Sequence, residues 1–261
     1  MPVGIEIKGH IAIVTLNRPE ALNSIDPETR SDLRDVFGRI GTNNDIRVVL
    51  LTGTGEKAFC TGSDLKKTMP PKTSFAQQAF GAGTKRDTES ITKVLEIPQP
   101  VICAINGIAV AGGLELAMAC DIRIAVSTAS FGLSEVRVGS IPGGGGTQRL
   151  PRLVGLTNAM PLLLGGGRID AAEALRIGLV SKLVEPADLM EEALAIAEGI
   201  AANAPLAVRA VKALVYQGVN LPLSEGLEME RITFGIMRDT KDRIEGRLAF
   251  AEKRKPNYVG E

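Results

Sequence analysis

Between Pro100 and Asp121 lies a run of 20 mostly apolar residues, Val101–Cys120, and the way it is parsed decides what the chain can fold into. The run is long enough to cross a bilayer as one helix. Asn106 and Glu115 lie within it, however, and Gly107, Gly112 and Gly113 punctuate its middle. A spanning helix would bury Glu115 in lipid at a cost of about 2.5–3.5 kcal/mol on insertion scales. The better parse is a buried strand Val101–Ile105, a glycine turn and a short buried helix Gly112–Ala119. That makes the segment the centre of a layered globule, with no membrane span.

The flanking sequence extends this pattern. Val3–Lys8 and Ile11–Leu16 read as strands joined by a short turn. Asp26 caps a helix that opens on Pro27 and runs to about Ile40 before Gly41. Val48–Leu51 is a continuous apolar run of buried-strand type. Ala58–Cys60 and Ile122–Ala125 add strands, Lys66–Asp87 reads as a polar loop with one short helix, and Thr88–Ile97 as a helix stopped by Pro98. Strand and helix alternate, which predicts an α/β core with several parallel strands. Beyond Pro151 the character changes. Asp170 opens a helix Ala171–Ile177, and Pro186–Ala202, Pro205–Gln217 and Ser224–Lys253 read as helices with little strand signal between them. The expected division is an α/β core over 1–195 and a helical C-terminal region over 196–261.

Composition narrows the chemistry. Lys+Arg 30 against Asp+Glu 30 gives zero net charge, which argues against nucleic acid or an acidic membrane as partner. Three cysteines and one histidine cannot build a Cys/His zinc site, and no metal is expected. The absence of a disulfide framework, and of a basic and apolar signal pattern after Met1, points to a cytoplasmic protein. His10 falls in the first turn, where it is expected to be solvated, and no G-x-S-x-G elbow supplies a serine nucleophile. Acid–base work then falls to carboxylates, lysines, tyrosines or backbone groups. The run Gly143–Gly146 lacks the G-K-[ST] of a phosphate loop and the spacing of a dinucleotide loop. It reads as a loop that approaches another backbone closely and then starts a helix.

Two segments could carry chemistry: Ala58–Leu65, a strand broken at Gly62, and Asn106–Glu115, where glycines open a helix. N–H groups in a first helical turn have no intrahelical acceptor and carry partial positive charge. If Gly112 N–H faces Ser63 N–H, the pair can grip an oxygen that becomes negative during reaction. Glu115 would project from the same turn beside the carbonyl's neighbouring carbons. The plain alternative is a strand–turn–helix crossover whose glutamate merely suits the helix dipole. Glu135 lies in Ser130–Glu135, between a strand end and the glycine run. It is either a second acid, sharing a water with Glu115, or a surface glutamate.

With these segments in place, the sequence resembles the enoyl-CoA hydratase/isomerase (crotonase) superfamily. The resemblance rests on Leu16-Asn17-Arg18-Pro19 with Ala21-Leu22-Asn23, on Ala58–Leu65, Asn106–Asp121 and Ile141–Leu150. It continues through Arg168–Ala171 and Gly178–Val180 to Phe250–Arg254. It implies an α/β crotonase-like (ClpP/crotonase) spiral of ββα units with a helical C-terminal trimerisation region, assembled as a homotrimer or a dimer of trimers. By matching positions, Ser63 and Gly112 would form the oxyanion hole for an acyl-CoA thioester, and Glu115 and Glu135 the acid–base pair. Ala21, Leu22, Thr61, Asp64 and Leu65 would border the coenzyme A, which is part of the substrate; no separate cofactor is implied. Phe250 and Lys253 would reach a neighbouring subunit's ligand. The presence of both glutamates favours hydration over relatives that keep only one acid. An enoyl-CoA isomerase, and a carnitinyl-CoA or other 3-hydroxyacyl-CoA dehydratase, are the alternatives, and the carnitinyl-CoA dehydratases share the same glutamate pair. A non-catalytic or RNA-binding relative is disfavoured by zero charge and few aromatic platforms. The chain departs from the family pattern at Ala111, where a glycine is common, and at Ser63, Leu114 and Ser134; Ser134 replaces a proline before the second glutamate.

Overall fold

Three successive strand–strand–helix turns form the heart of the computed structural model, which describes residues 1–68 and 90–261. They are preceded by an antiparallel hairpin of β1 (Val3–Lys8) and β2 (Ile11–Leu16), paired from Val3↔Leu16 to Lys8↔Ile11. His10 at its turn is exposed and donates from Nδ1 to the Asp45 carbonyl, 2.7 Å away. In α1 (Pro27–Gly41) the Asp26 side chain accepts from Thr29 N, while Leu33, Val36, Phe37 and Ile40 fall on one buried face.

The first turn is β3 (Val48–Gly53), β4 (Ala58–Cys60) and α2 (Leu65–Thr68). The second is β5 (Val101–Ile105), β6 (Ile108–Val110) and α3 (Gly112–Ala119). The third is β7 (Ile122–Val126), β8 (Ser130–Gly132) and α4 (Gly146–Gly165), the last broken at Gly155. In each turn the first strand enters one sheet and the second strand enters another. β3, β5 and β7 run parallel in the larger sheet, and β4, β6 and β8 run parallel in the smaller one. Strands covered on both faces carry no polar alternation, and β3 and β5 are accordingly buried at every residue. Phe37, Phe59 and Phe131 are fully buried in the core, each contributing about 1.5–3 kcal/mol by burial.

The run Val101–Cys120 thus divides into strand, turn and helix as expected, with β6 as an additional three-residue strand too short to register in the sequence pattern. Among the described residues no single helix is long and apolar enough to cross a membrane.

Two short strands finish the sheets. β9 (Arg168–Asp170) pairs antiparallel with β8, and β10 (Lys182–Val184) lies parallel to β7. The larger sheet is ordered β1-β2-β3-β5-β7-β10 and the smaller β4-β6-β8-β9. α5 (Ala171–Arg176), capped by Asp170, links the last two strands. α6 (Leu189–Ala201) buries Leu189, Ala193 and Ala197 against β3, β5 and β7, so the boundary expected at 195/196 falls inside a helix that packs on the core. α7 (Pro205–Gly218) follows.

Two helices differ from expectation. Ser224–Lys253 is not one helix but two, α8 (Leu223–Met237) and α9 (Lys241–Glu252), because Thr240 turns extended and its Oγ1 caps α9 at Arg243 N. Over Thr88–Ile97 the described residues form only a 3-10 turn, Ile91–Leu95, capped by Ser90. Of the loop read over Lys66–Asp87, residues beyond Thr68 lie outside the described ones, as do Thr88 and Glu89.

Candidate active site

Because β4, β6 and β8 run parallel, the segments that leave them emerge at one edge of the smaller sheet, where open α/β sheets commonly hold ligands. Ser63 is set there by a parallel bridge to Ile25: Ile25 N donates to Gly62 O at 2.7 Å and Asp64 N to Ile25 O at 2.9 Å. Gly112 opens α3 directly opposite. A Cβ at Gly62, whose φ is +82°, would lie 2.7 Å from Gly112 N, and one at Gly113 would lie 2.1 Å from the Cys60 carbonyl oxygen. The two segments therefore meet backbone to backbone, which only glycine permits. Among the described residues neither Ser63 N nor Gly112 N has a hydrogen-bond acceptor. Ala111, which precedes Gly112, has φ +50° and ψ −132°, a conformation normally reserved for glycine.

Glu115 rises from the first turn of α3 and is 3% exposed. Its Oε1 accepts from Gly144 N at 2.7 Å and Gly146 N at 2.8 Å, at the start of α4. The glycine run does make a close approach, but to this carboxylate rather than to a backbone. Burial pushes Glu115 above the ordinary carboxylate range, while the two amides and the Arg149 charge pull against it. Glu135 begins a 3-10 turn, Glu135–Val138, and is half-buried. Its Oε2 is buried without a hydrogen-bond partner among the described residues. Burial raises it, and the neighbouring negative charge of Glu115 raises it further against a bond from its own backbone. Glu135 thus senses the charge of Glu115.

The loop over 18–26 borders the same edge. Thr61 Oγ1 donates to the Leu22 carbonyl at 3.3 Å, and Leu22 and Leu65 are exposed. Ala21 lies on the short 3-10 turn just before Leu22. Asp64 pairs with Arg18 Nη2 at 2.8 Å, a bond that holds its carboxyl below the ordinary range. Asp26 joins the cluster through Arg18 at 3.4 Å and Lys67 at 2.5 Å. Phe250 and Lys253 stand apart. Phe250 lies in a groove of about 640 Å³ with Ala204, Met237 and Tyr258, none of which belongs to the group around Glu115.

Among the described residues no group of three His, Cys, Asp or Glu side chains could hold a metal ion. Cys60, Cys103 and Cys120 are buried free thiols, and burial pushes Cys60 up to about 12. Sequence reasoning missed four contributors, Gly144, Gly146, Thr92 and Arg149. The glycine run was visible, but no local pattern ties it to Glu115 or ties Thr92 to Arg149.

The profile of the enoyl-CoA hydratase/isomerase family matches residues 6–261. The (E)-benzylidenesuccinyl-CoA hydratase of Thauera aromatica is 50% identical over 260 residues, covering 100% of both chains. The short-chain-enoyl-CoA hydratase of Clostridium acetobutylicum is 44% identical, covering 96% of this chain and 95% of its own. A crystal structure of enoyl-CoA hydratase from Bacillus anthracis superposes with a TM-score of 0.92 at 42% identity over 100% of both chains. The α/β crotonase-like fold expected from the resemblance is therefore the fold observed.

Proposed function

The chain belongs to the enoyl-CoA hydratase/isomerase family, and on that premise we propose that it adds water across the 2,3-double bond of a 2-enoyl-CoA thioester. One observation carries this reading: two amides without acceptors lie at the same sheet edge as the buried Glu115 and the half-buried Glu135, which senses the Glu115 charge. In the bound substrate the thioester oxygen accepts from Ser63 N–H and Gly112 N–H. Glu115, supported as an anion by two amides and Arg149, takes a proton from water as its oxygen bonds to C3. The π electrons move through C2 to the thioester oxygen, where the two amides stabilise the enolate. Glu135, raised by burial and by its neighbour's charge, gives its proton to C2. A proton passing from Glu115 to Glu135 restores the pair.

Ala21, Leu22, Thr61, Asp64 and Leu65 border the coenzyme A in this reading, and no further cofactor takes part. Phe250 and Lys253 come from a neighbouring subunit in a homotrimer or a dimer of trimers. That assembly also covers α8, which buries none of its own residues and exposes Leu227, Ile232, Phe234 and Ile236.

The test is a panel of 2-enoyl-CoA esters, alkyl, aryl and carboxylated, followed by loss of the enoyl thioester absorbance and by mass. Hydration adds the mass of one water; isomerisation leaves the mass unchanged. Glu115→Gln and Glu135→Gln are each expected to lose most hydration of crotonyl-CoA while ester binding stays near normal. Wild-type rates in both variants would rule the assignment out.

A further inference from the structure

Gly144, whose N–H binds Glu115, is itself held from behind. Its carbonyl accepts two bonds, from Arg149 Nη1 at 2.8 Å and from Thr92 Oγ1 at 2.9 Å. Arg149 Nη1 also donates to Thr92 Oγ1 at 3.2 Å, closing a three-membered ring of contacts. Ser90 Oγ lies 2.9 Å from the same hydroxyl, and Thr92 is 2% exposed. Arg149 is anchored in turn, its own N–H donating to Gly145 O at 2.7 Å. Its guanidinium folds so tightly over the loop that a Cβ at Gly145 would lie 2.1 Å from Nη1. A loop of consecutive glycines has no side chains of its own to fix it. The contacts that fix this one come from outside it, through a peptide carbonyl whose loop carries both amides on Glu115.

We propose that Arg149 and Thr92 are positioning residues for Glu115, gripping the Gly144 carbonyl so that the Gly144 and Gly146 amides stay aimed at the carboxylate. The inference rests on the reading of Glu115 as the base that activates water. Neither side chain touches the carboxylate, so they act through the loop, and Arg149 acts also through its charge. The charged side chains that bear on Glu115 are Arg149 from α4 and Glu135 from the turn after β8.

The test compares Thr92→Val, Arg149→Lys and Arg149→Met with the wild type, using crotonyl-CoA across a pH series. Thr92→Val removes the hydroxyl at nearly constant shape. Its kcat is expected to fall about 10- to 100-fold, the scale of a catalytic group displaced by a fraction of its length, with KM unchanged. Arg149→Met is expected to lose more and to move the acidic limb of kcat/KM to higher pH, since the lost charge had favoured the Glu115 anion. Arg149→Lys is expected to bring the limb back toward wild type while kcat stays low, because lysine keeps the charge but not the fork. Unchanged kcat and limb in the folded Thr92→Val protein overturn the inference. So does a rise in KM alone, or an activity loss that only tracks the fraction of folded chain. Glu115→Gln measured alongside separates the two ideas: full activity there removes the reading of Glu115 itself, whereas an inactive Glu115→Gln beside a normal Thr92→Val removes only the clamp.

Discussion

Gly144 donates its N–H to Glu115 Oε1 at 2.7 Å, and a Cβ at Gly144 would stand 2.6 Å from Glu115 Oε2. The residue is therefore both the partner of the carboxylate and the space that admits it. Gly143, its neighbour in the run, has nothing within 4 Å of such a Cβ.

These two glycines give a paired comparison. Gly144→Ala is expected to displace the carboxylate and lower kcat for crotonyl-CoA by about 100-fold or more, whereas Gly143→Ala stays near wild type. Equal activities of the two variants, measured at saturating substrate, would show that the contact has no catalytic weight.

Glu135→Gln is expected to trade activity for stability. The folded carboxyl lies above its ordinary value of 4.5, so the native state holds the proton more tightly than the unfolded chain. Stability is then fully present below that ordinary value and is lost as pH rises through the folded pKa. Glutamine does not ionise and avoids the loss. Thermal melts should place the variant above wild type at about pH 8, with the gap closing below about pH 4; a variant less stable at the higher pH contradicts this.

Ala111 carries strain at the entrance to α3. At φ +50° and ψ −132° its Cβ crowds its own backbone, a cost of about 1–3 kcal/mol. Ala111→Gly removes the crowding but adds freedom to the unfolded chain, so the expected net gain is about 1 kcal/mol. Urea unfolding measures it directly, and a lower midpoint would refute the strain.

Asp26 joins two loops at the site's border. Although burial pushes it up, the bonds from Lys67 and Thr29 and the Arg18 charge hold its carboxyl far below the ordinary 3.8. Asp26→Asn keeps the helix cap and loses both ion pairs. The expected cost at neutral pH is about 2–3 kcal/mol, less than for a fully enclosed pair because Lys67 is half exposed. The contribution is present above the ordinary value and fades as pH falls through the depressed one, so the gap between variant and wild type in urea melts should narrow in acid.

Much of this molecule is written locally. Asp26-Pro27 announces α1 because the cap and the first helical position are set by adjacent residues. The apolar runs of β3 and β5 announce buried strands because both of their faces are covered. Gly112 and Gly113 mark the opening of α3, and the motifs around Ser63, Gly112 and Glu115 identify the family before any fold is seen. The failures are equally physical. Ser224–Lys253 keeps helical residues throughout, and only the cap formed by Thr240 divides it.

What the tertiary structure alone decided is which distant groups meet. The spiral brings the ends of β4 and β6 together so that Ser63 and Gly112 present their amides at one edge. It also folds a glycine run onto Glu115 and sets Arg149 and Thr92 behind that run. Each of these bonds joins a side chain to a backbone group, and those of Glu115 and Thr92 span 29 to 52 residues of chain. No residue type or periodicity encodes them, because every residue carries the same amide and only the closure of the turns selects which ones face.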